Sequence, residues 1–136
     1  MITLSDYWMG RDVDPRYAGE LGSTMADNAG NTVNRANLLL ARYFAERPGA
    51  ERPRVTSGWR PAAVNAGIAN AAPRSRHMTG EAIDLSDPEG ELDAWCMDNL
   101  NQLESCALWL EHPAATKGWT HWQIVPPRSG KRVFFP

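Results

Sequence analysis

Apolar residues recur along this chain with two different periods, and the switches between them mark its elements. From Asn31 onward Val33, Ala36, Leu40, Tyr43 and Phe44 follow at steps of three and four, which predicts a helix with one buried face. Arg47-Pro48-Gly49 ends it. Arg54-Val55-Thr56-Ser57 reads as a short strand, and Pro61-Ala62-Ala63-Val64-Asn65 as a short helix with proline in its first turn. Glu81 to Ser86 alternates with period two, so it should be a half-buried strand with Ile83 and Leu85 inward and Ala82, Asp84 and Ser86 outward. Ser86-Asp87-Pro88-Glu89 offers helix caps, a proline and a first-turn acid, and the helix it starts shows Leu92, Trp95, Cys96, Asn99, Leu100 and Leu103 on one face. Residues 107 to 111 and 119 to 125 supply two more strands, and Val133 lies in a final one. The expected fold class is α+β, a small antiparallel sheet backed by helices, in a single domain over 1–136. Residues 1–30 form a loop-rich entry and 126–136 a C-terminal tail.

Composition narrows the function. Hydrophobic residues make up 43% and charged residues 22%, and 14 basic against 16 acidic side chains leave a formal charge of −2. A nucleic-acid binder working by bulk charge would be basic, so no nucleic-acid partner is expected. The longest apolar runs, such as Leu38-Leu39-Leu40-Ala41, fall well short of the roughly 20 residues that cross a bilayer, so no membrane span is expected. Cys96 and Cys106 match no disulfide framework or zinc ribbon and read as buried apolar residues. The start, Met1-Ile2-Thr3-Leu4-Ser5-Asp6, lacks a signal-peptide pattern, which implies synthesis in the cytoplasm. Six tryptophans, ten prolines and eleven glycines in so short a chain require an explanation.

Candidate chemistry concentrates around two of the three histidines. His77 precedes the turn at Gly80, and the outward alternation of the next strand carries Asp84 back beside it. With Trp122 and Ile124 inward on the last long strand, His121 and Gln123 face the same side as Asp84. Two imidazoles and a carboxylate suit zinc with a position left open, as metal-assisted hydrolysis requires; the same residues would also serve as a satisfied polar pair or ordinary surface.

Ser57-Gly58-Trp59-Arg60-Pro61, Asn65, the stretch Ser75-Arg76-His77-Met78-Thr79-Gly80-Glu81-Ala82-Ile83-Asp84 and Trp119-Thr120-His121 together resemble the M15 peptidase family. That family contains zinc D,D-carboxypeptidases, dipeptidases and the L-alanyl-D-glutamate endopeptidases that serve as phage endolysins, and it shares the hedgehog fold. The resemblance spans about residues 33 to 125. It implies a hedgehog-like fold, Zn2+ on His77, Asp84 and His121, and Arg60 pointing into the site to stabilise an oxyanion. Ser75, Trp119 and Gln123 are the expected substrate contacts, with Trp59 and Trp109 as further candidates for a cleft wall; Trp95 and Trp122 go to packing. Many family members carry an acid three positions before the second histidine; here that position is Gly118, which cannot act as a base. Glu111 is the expected replacement, since Leu108 and Leu110 inward turn it toward His121, and His112 is the second candidate. The expected activity is zinc-dependent hydrolysis of peptidoglycan stem peptides by a monomeric, phage or prophage endolysin-like enzyme, released to the cell wall through a holin. The alternative is a catalytically impaired zinc domain that binds peptidoglycan or serves a virion or secretion assembly. Arg128, Lys131 and Arg132 in the tail form a polar basic loop.

Overall fold

A computed structural model describes residues 1–136. The fold is α+β, and its sheet divides the molecule into a packed face and a chemical face. Helices α1 (Leu4–Trp8), α2 (Ser23–Glu46), α3 (Ala62–Ala66), α4 (Glu91–Asp98) and α5 (Leu100–Ser105) accompany strands β1 (Val55–Ser57), β2 (Ala82–Asp87), β3 (Trp109–Glu111), β4 (Gly118–Gln123) and β5 (Val133–Phe134). The strand order is β1-β2-β4-β3-β5. The long central pair, β2 with β4, sets Asp84 directly opposite His121. The sheet is mixed, because β5 runs parallel to β3, with Leu110 opposite Val133. The expected all-antiparallel sheet is corrected here: the loop after β4 is long enough for the tail to cross over and pair in β3's own direction.

Alternation does most of the positioning. Ile83, Leu85, Leu110 and Trp122 are fully buried, in one cluster with Val33, Ala36, Leu39, Leu40, Leu92, Trp95, Cys96 and Leu103 from the helices. The period-two pattern then turns Asp84, Glu111, His121 and Gln123 to the opposite face.

Three boundaries differ from the sequence pattern. Helix α2 begins at Ser23, eight residues before Asn31, through a polar stretch with Gly30 in it. Tertiary contacts supply what propensity lacks there: Ala29 is fully buried, Asn28 Nδ2 donates to the Thr79 carbonyl at 3.0 Å, and Thr32 Oγ1 donates to the Gly80 carbonyl at 2.8 Å. The helix expected to run through Leu103 breaks at Asn99, whose side chain donates to the Trp95 carbonyl at 2.8 Å, and Leu100 turns out to solvent. Strand β2 continues through Asp87, and Pro88 lies in the turn before α4. Asp87 caps α4 from outside, its carboxylate accepting from the amides of Leu92 (3.1 Å) and Asp93 (2.8 Å). Cys96 and Cys106 are both buried and free.

The N-terminal segment is part of the core. Tyr7 is fully buried and its hydroxyl donates to the Ala82 carbonyl at 2.9 Å; Trp8 meets Trp59 edge-on with ring centroids 6.0 Å apart. Arg11 Nη1 donates to the Trp59 carbonyl at 2.7 Å. A Cβ on Gly58 would stand 1.9 Å from the Tyr7 carbonyl oxygen, so the backbone of α1 packs where only glycine fits. Gly58→Ala should therefore cost about 3 kcal/mol in chemical denaturation, by forcing α1 off the loop.

Asp93 gives a second stability test. It accepts from the Thr116 hydroxyl at 3.1 Å, tying the loop before β4 to α4, and burial pushes its carboxyl up to about 6 against the hydrogen bonds that favour its charge. The folded state then binds more protons than the unfolded one between about pH 4 and 6, so stability falls as pH rises through that window, by on the order of 2 kcal/mol. Asp93→Asn should flatten this fall in urea midpoints measured across pH 4 to 7.

Candidate metal centre

The turn that carries His77 is built before the ligands are considered. Ser75 Oγ accepts from the His77 amide at 3.3 Å and starts a 3-10 turn over Arg76–Thr79, which ends on Gly80 at φ 77°. A Cβ on Gly80 would stand 2.6 Å from the Met25 carbonyl oxygen, because α2 lies against the turn. Ser75 is thus a cap of the ligand turn, and it also borders the cleft above the site.

His77, Asp84 and His121 converge, all three buried, with potential ligand atoms within 4.8 Å of one another, and the trio could hold a metal ion. His77 Nδ1 lies 2.9 Å from the Gly58 carbonyl oxygen, and a carbonyl can only accept, so Nδ1 carries the proton. Nε2 then presents a lone pair 3.2 Å from Asp84 Oδ1, and Nε2 has no hydrogen-bond partner in the protein. Burial, first, and then the neighbouring His121 and Arg60 hold His77 below its ordinary pKa against the pull of Asp84, which keeps the ring neutral. Two lone pairs facing each other out of water repel, and a cation between them satisfies both. The donor set of two imidazoles and a carboxylate fits a borderline divalent ion.

Asp84 is shared out by atom. Its Oδ1 faces both histidines, with His121 Nδ1 at 2.7 Å, and its Oδ2 accepts from Arg60 Nη2 at 3.2 Å. Burial opposes the carboxylate's charge, and the hydrogen bond from His121 counters it, so that Asp84 is held well below the usual range. For His121, burial favours the neutral ring, and the Asp84 carboxylate outweighs it and raises the pKa. Arg60 is itself fixed by a bond from Nε to Ser57 Oγ at 2.8 Å, a contact that no local sequence pattern signals.

A cleft of about 640 Å³ opens over the trio; Arg60, Ser75, Glu111, Trp119, Gln123 and Phe134 are among its lining residues. Glu111 Oε2 lies 3.9 Å from His121 Nδ1. Burial raises the Glu111 carboxyl above its ordinary value, with His121 pulling the other way. Gly118 starts β4 at φ 94° and brings no side chain. His112 is placed elsewhere: its Nδ1 accepts from the Ala114 amide at 3.0 Å and its ring stacks on Phe135 at 4.3 Å, outside the cleft. Of the three tryptophans considered for a wall, Trp119 lines the cleft. Trp59 is fully buried against Trp8, and Trp109 is covered by the Arg132 guanidinium 4.4 Å from its ring. Gln123 is buried, and its carbonyl lies 3.3 Å from His121 Nε2. Phe134, in the tail beyond the motifs, reaches within 6.2 Å of the His121 ring, centroid to centroid. The sequence signal for it was the Val133-Phe134 pair after a basic loop, which predicts a strand but not its neighbour.

Comparison with protein-family models, curated proteins and solved structures returned no match.

A divalent ion that binds the folded trio and not the unfolded chain must stabilise the fold by mass action. Added Zn2+ should raise the melting temperature, a chelator should reverse the rise, and Asp84→Ala and His77→Ala should each abolish it.

Proposed function

We propose that the chain is a zinc peptidase acting on peptidoglycan stem peptides, and the observation that carries this reading is the buried trio set at the floor of an open cleft beside a carboxylate. The chemistry that bound zinc supplies is Lewis acidity, which makes water nucleophilic near neutral pH and polarises an amide carbonyl. His77 and His121 would contribute ring nitrogens to the ion and Asp84 would contribute Oδ1, with Oδ2 kept back by Arg60. Glu111, 3.9 Å from His121 on the cleft side, takes a proton from the attacking water and returns it to the leaving amine. Arg60 commits Nε to Ser57 and Nη2 to Asp84, which leaves Nη1 to donate to the oxyanion as the carbonyl carbon becomes tetrahedral. Trp119 and Phe134 give the cleft apolar walls against which a peptide is held. The products are a free carboxylate and a free amine. The resemblance in the motifs supplies the substrate class and the hedgehog-like fold assignment, and it makes the chain an endolysin-like enzyme of phage or prophage origin, reaching the wall through a holin. No helix of the chain is long and apolar enough to cross a membrane.

One observation favours a second reading, a zinc domain that binds peptidoglycan without cutting it: Gly118 stands where related enzymes carry their base. The position of Glu111 supports the first reading over the second.

Zinc-loaded protein incubated with purified peptidoglycan should generate new amino termini detectable by mass spectrometry, and His77→Ala should generate none. Glu111→Gln should keep its zinc while turnover drops roughly 10²- to 10⁴-fold. Binding to the wall without new termini would establish the second reading, and full activity in Glu111→Gln would move the base to another residue.

A further inference from the structure

We propose that Gln123 is a positioning residue for the metal centre: its side-chain carbonyl holds the proton of His121 on Nε2, so that Nδ1 is the atom His121 offers to the ion. The inference rests on the metal-centre reading and concerns a residue first expected to touch substrate.

A chain of hydrogen bonds runs from Val125 through Gln123 to His121. Gln123 is 5% exposed, so its amide cannot rely on water to satisfy it. Its Nε2 donates to the Val125 carbonyl at 2.8 Å. An amide turned the other way would set two oxygens against each other at that distance, so the orientation is fixed by Val125. Gln123 Oε1 is then the group that faces His121 Nε2, at 3.3 Å, and an oxygen there can only accept. Nε2 must carry hydrogen. Nδ1, whose hydrogen is donated to Asp84 Oδ1 at 2.7 Å, is therefore the nitrogen that gives up its proton and turns to a cation when one enters.

The backbone leaves this arrangement little room to move. Gln123 lies on the central strand, opposite Ala82 on β2 and opposite Trp109 on β3. Just beyond it the Ile124 amide donates to the Glu81 carbonyl at 3.0 Å. Arg35 of α2 donates from Nη1 to the carbonyls of Ile124 (3.2 Å) and Ala107 (3.0 Å). The other histidine is set by the same logic with a different acceptor, the Gly58 carbonyl on His77 Nδ1. The two rings thus present opposite nitrogens, Nε2 of His77 and Nδ1 of His121, to one carboxylate oxygen. Acceptors behind metal-binding histidines tune affinity by fixing the ring and its tautomer.

Two variants separate this role from mere packing. Gln123→Met keeps the length and removes acceptor and donor; Gln123→Glu keeps an acceptor for His121 and loses the donor to Val125. Zinc affinity is read by competition with a chromophoric chelator, the fold of each metal-free protein by its melting curve, and the bound nitrogen by 15N spectra of histidine-labelled, zinc-loaded protein. Gln123→Met should weaken zinc binding roughly 10- to 100-fold, and Gln123→Glu should hold it near or above the wild-type value. The wild-type spectrum should show His121 bound through Nδ1 with hydrogen on Nε2. Gln123→Met binding zinc within about twofold of wild type, equal losses in both variants, or His121 bound through Nε2 would each overturn the proposal. Wild-type protein that binds no zinc would instead overturn the metal-centre reading itself, and this proposal with it.

Discussion

A neutral imidazole and a carboxylate oxygen held 3.2 Å apart in a buried site, with no hydrogen between them, repel one another, and His77 and Asp84 are held in that relation. The Gly58 carbonyl causes it, because it claims the only proton the neutral ring has. Everything near the site reads as a device for keeping these groups in place despite their mutual repulsion. Arg60 pulls on the far oxygen of Asp84, the pairing of β2 with β4 locks Asp84 opposite His121, and the turn at Gly80 is wedged against α2. A fold selected only for stability gains nothing from such a cluster, since replacing buried charged groups with apolar ones is often neutral or stabilising. A cation resolves the conflict that the scaffold maintains.

The scaffold's contribution is division of labour between faces. On the packed side, Ile83, Leu85, Leu110 and Trp122 join the helices in one core; on the other, the alternate residues of the same strands bring Asp84, Glu111 and His121 to the cleft, where His77 and Arg60 meet them from a turn and a loop. Because the alternation has period two, a slip of one residue between β2 and β4 would bury His121 in the core and lift Trp122 into the cleft. Register and chemistry are therefore specified together. The N-terminal segment enters the same scheme from outside the motifs: α1 packs on Gly58, whose carbonyl orients His77, and Arg11 holds the next carbonyl along, that of Trp59.

How much of this could be read in the sequence depended on the range of the interaction. The α+β class and the face division of β2 and β4 follow from alternation, a local signal, whereas the convergence of His77, Asp84 and His121 was expected from alternation only together with the motif resemblance. Glu111 was legible for the same reason, since Leu108 and Leu110 fixed the direction of its strand. What was not legible is held by contacts distant in sequence. The first turns of α2 look like loop until the Gly80 turn is packed on them, and Trp59 looks like a cleft wall until α1 covers it. The parallel pairing of β5, which brings Phe134 to His121, has no local signature at all. His112 was one residue from a correct position, but its ring went to capping a turn and stacking on Phe135. The excess of tryptophan resolves into packing for the most part: of the six, Trp119 lines the cleft, while Trp59, Trp95 and Trp122 are interior.

The central claim is that His77, Asp84 and His121 together hold a divalent ion, and X-ray absorption spectroscopy of the zinc-loaded protein addresses it without reference to activity. The account predicts a coordination sphere of light atoms alone, with the multiple-scattering signature of two imidazoles and one carboxylate, and loss of one imidazole contribution in His121→Ala. Sulfur among the ligands, which would place the ion on Cys96 or Cys106, or a fully hydrated ion with no imidazole scattering, would contradict it.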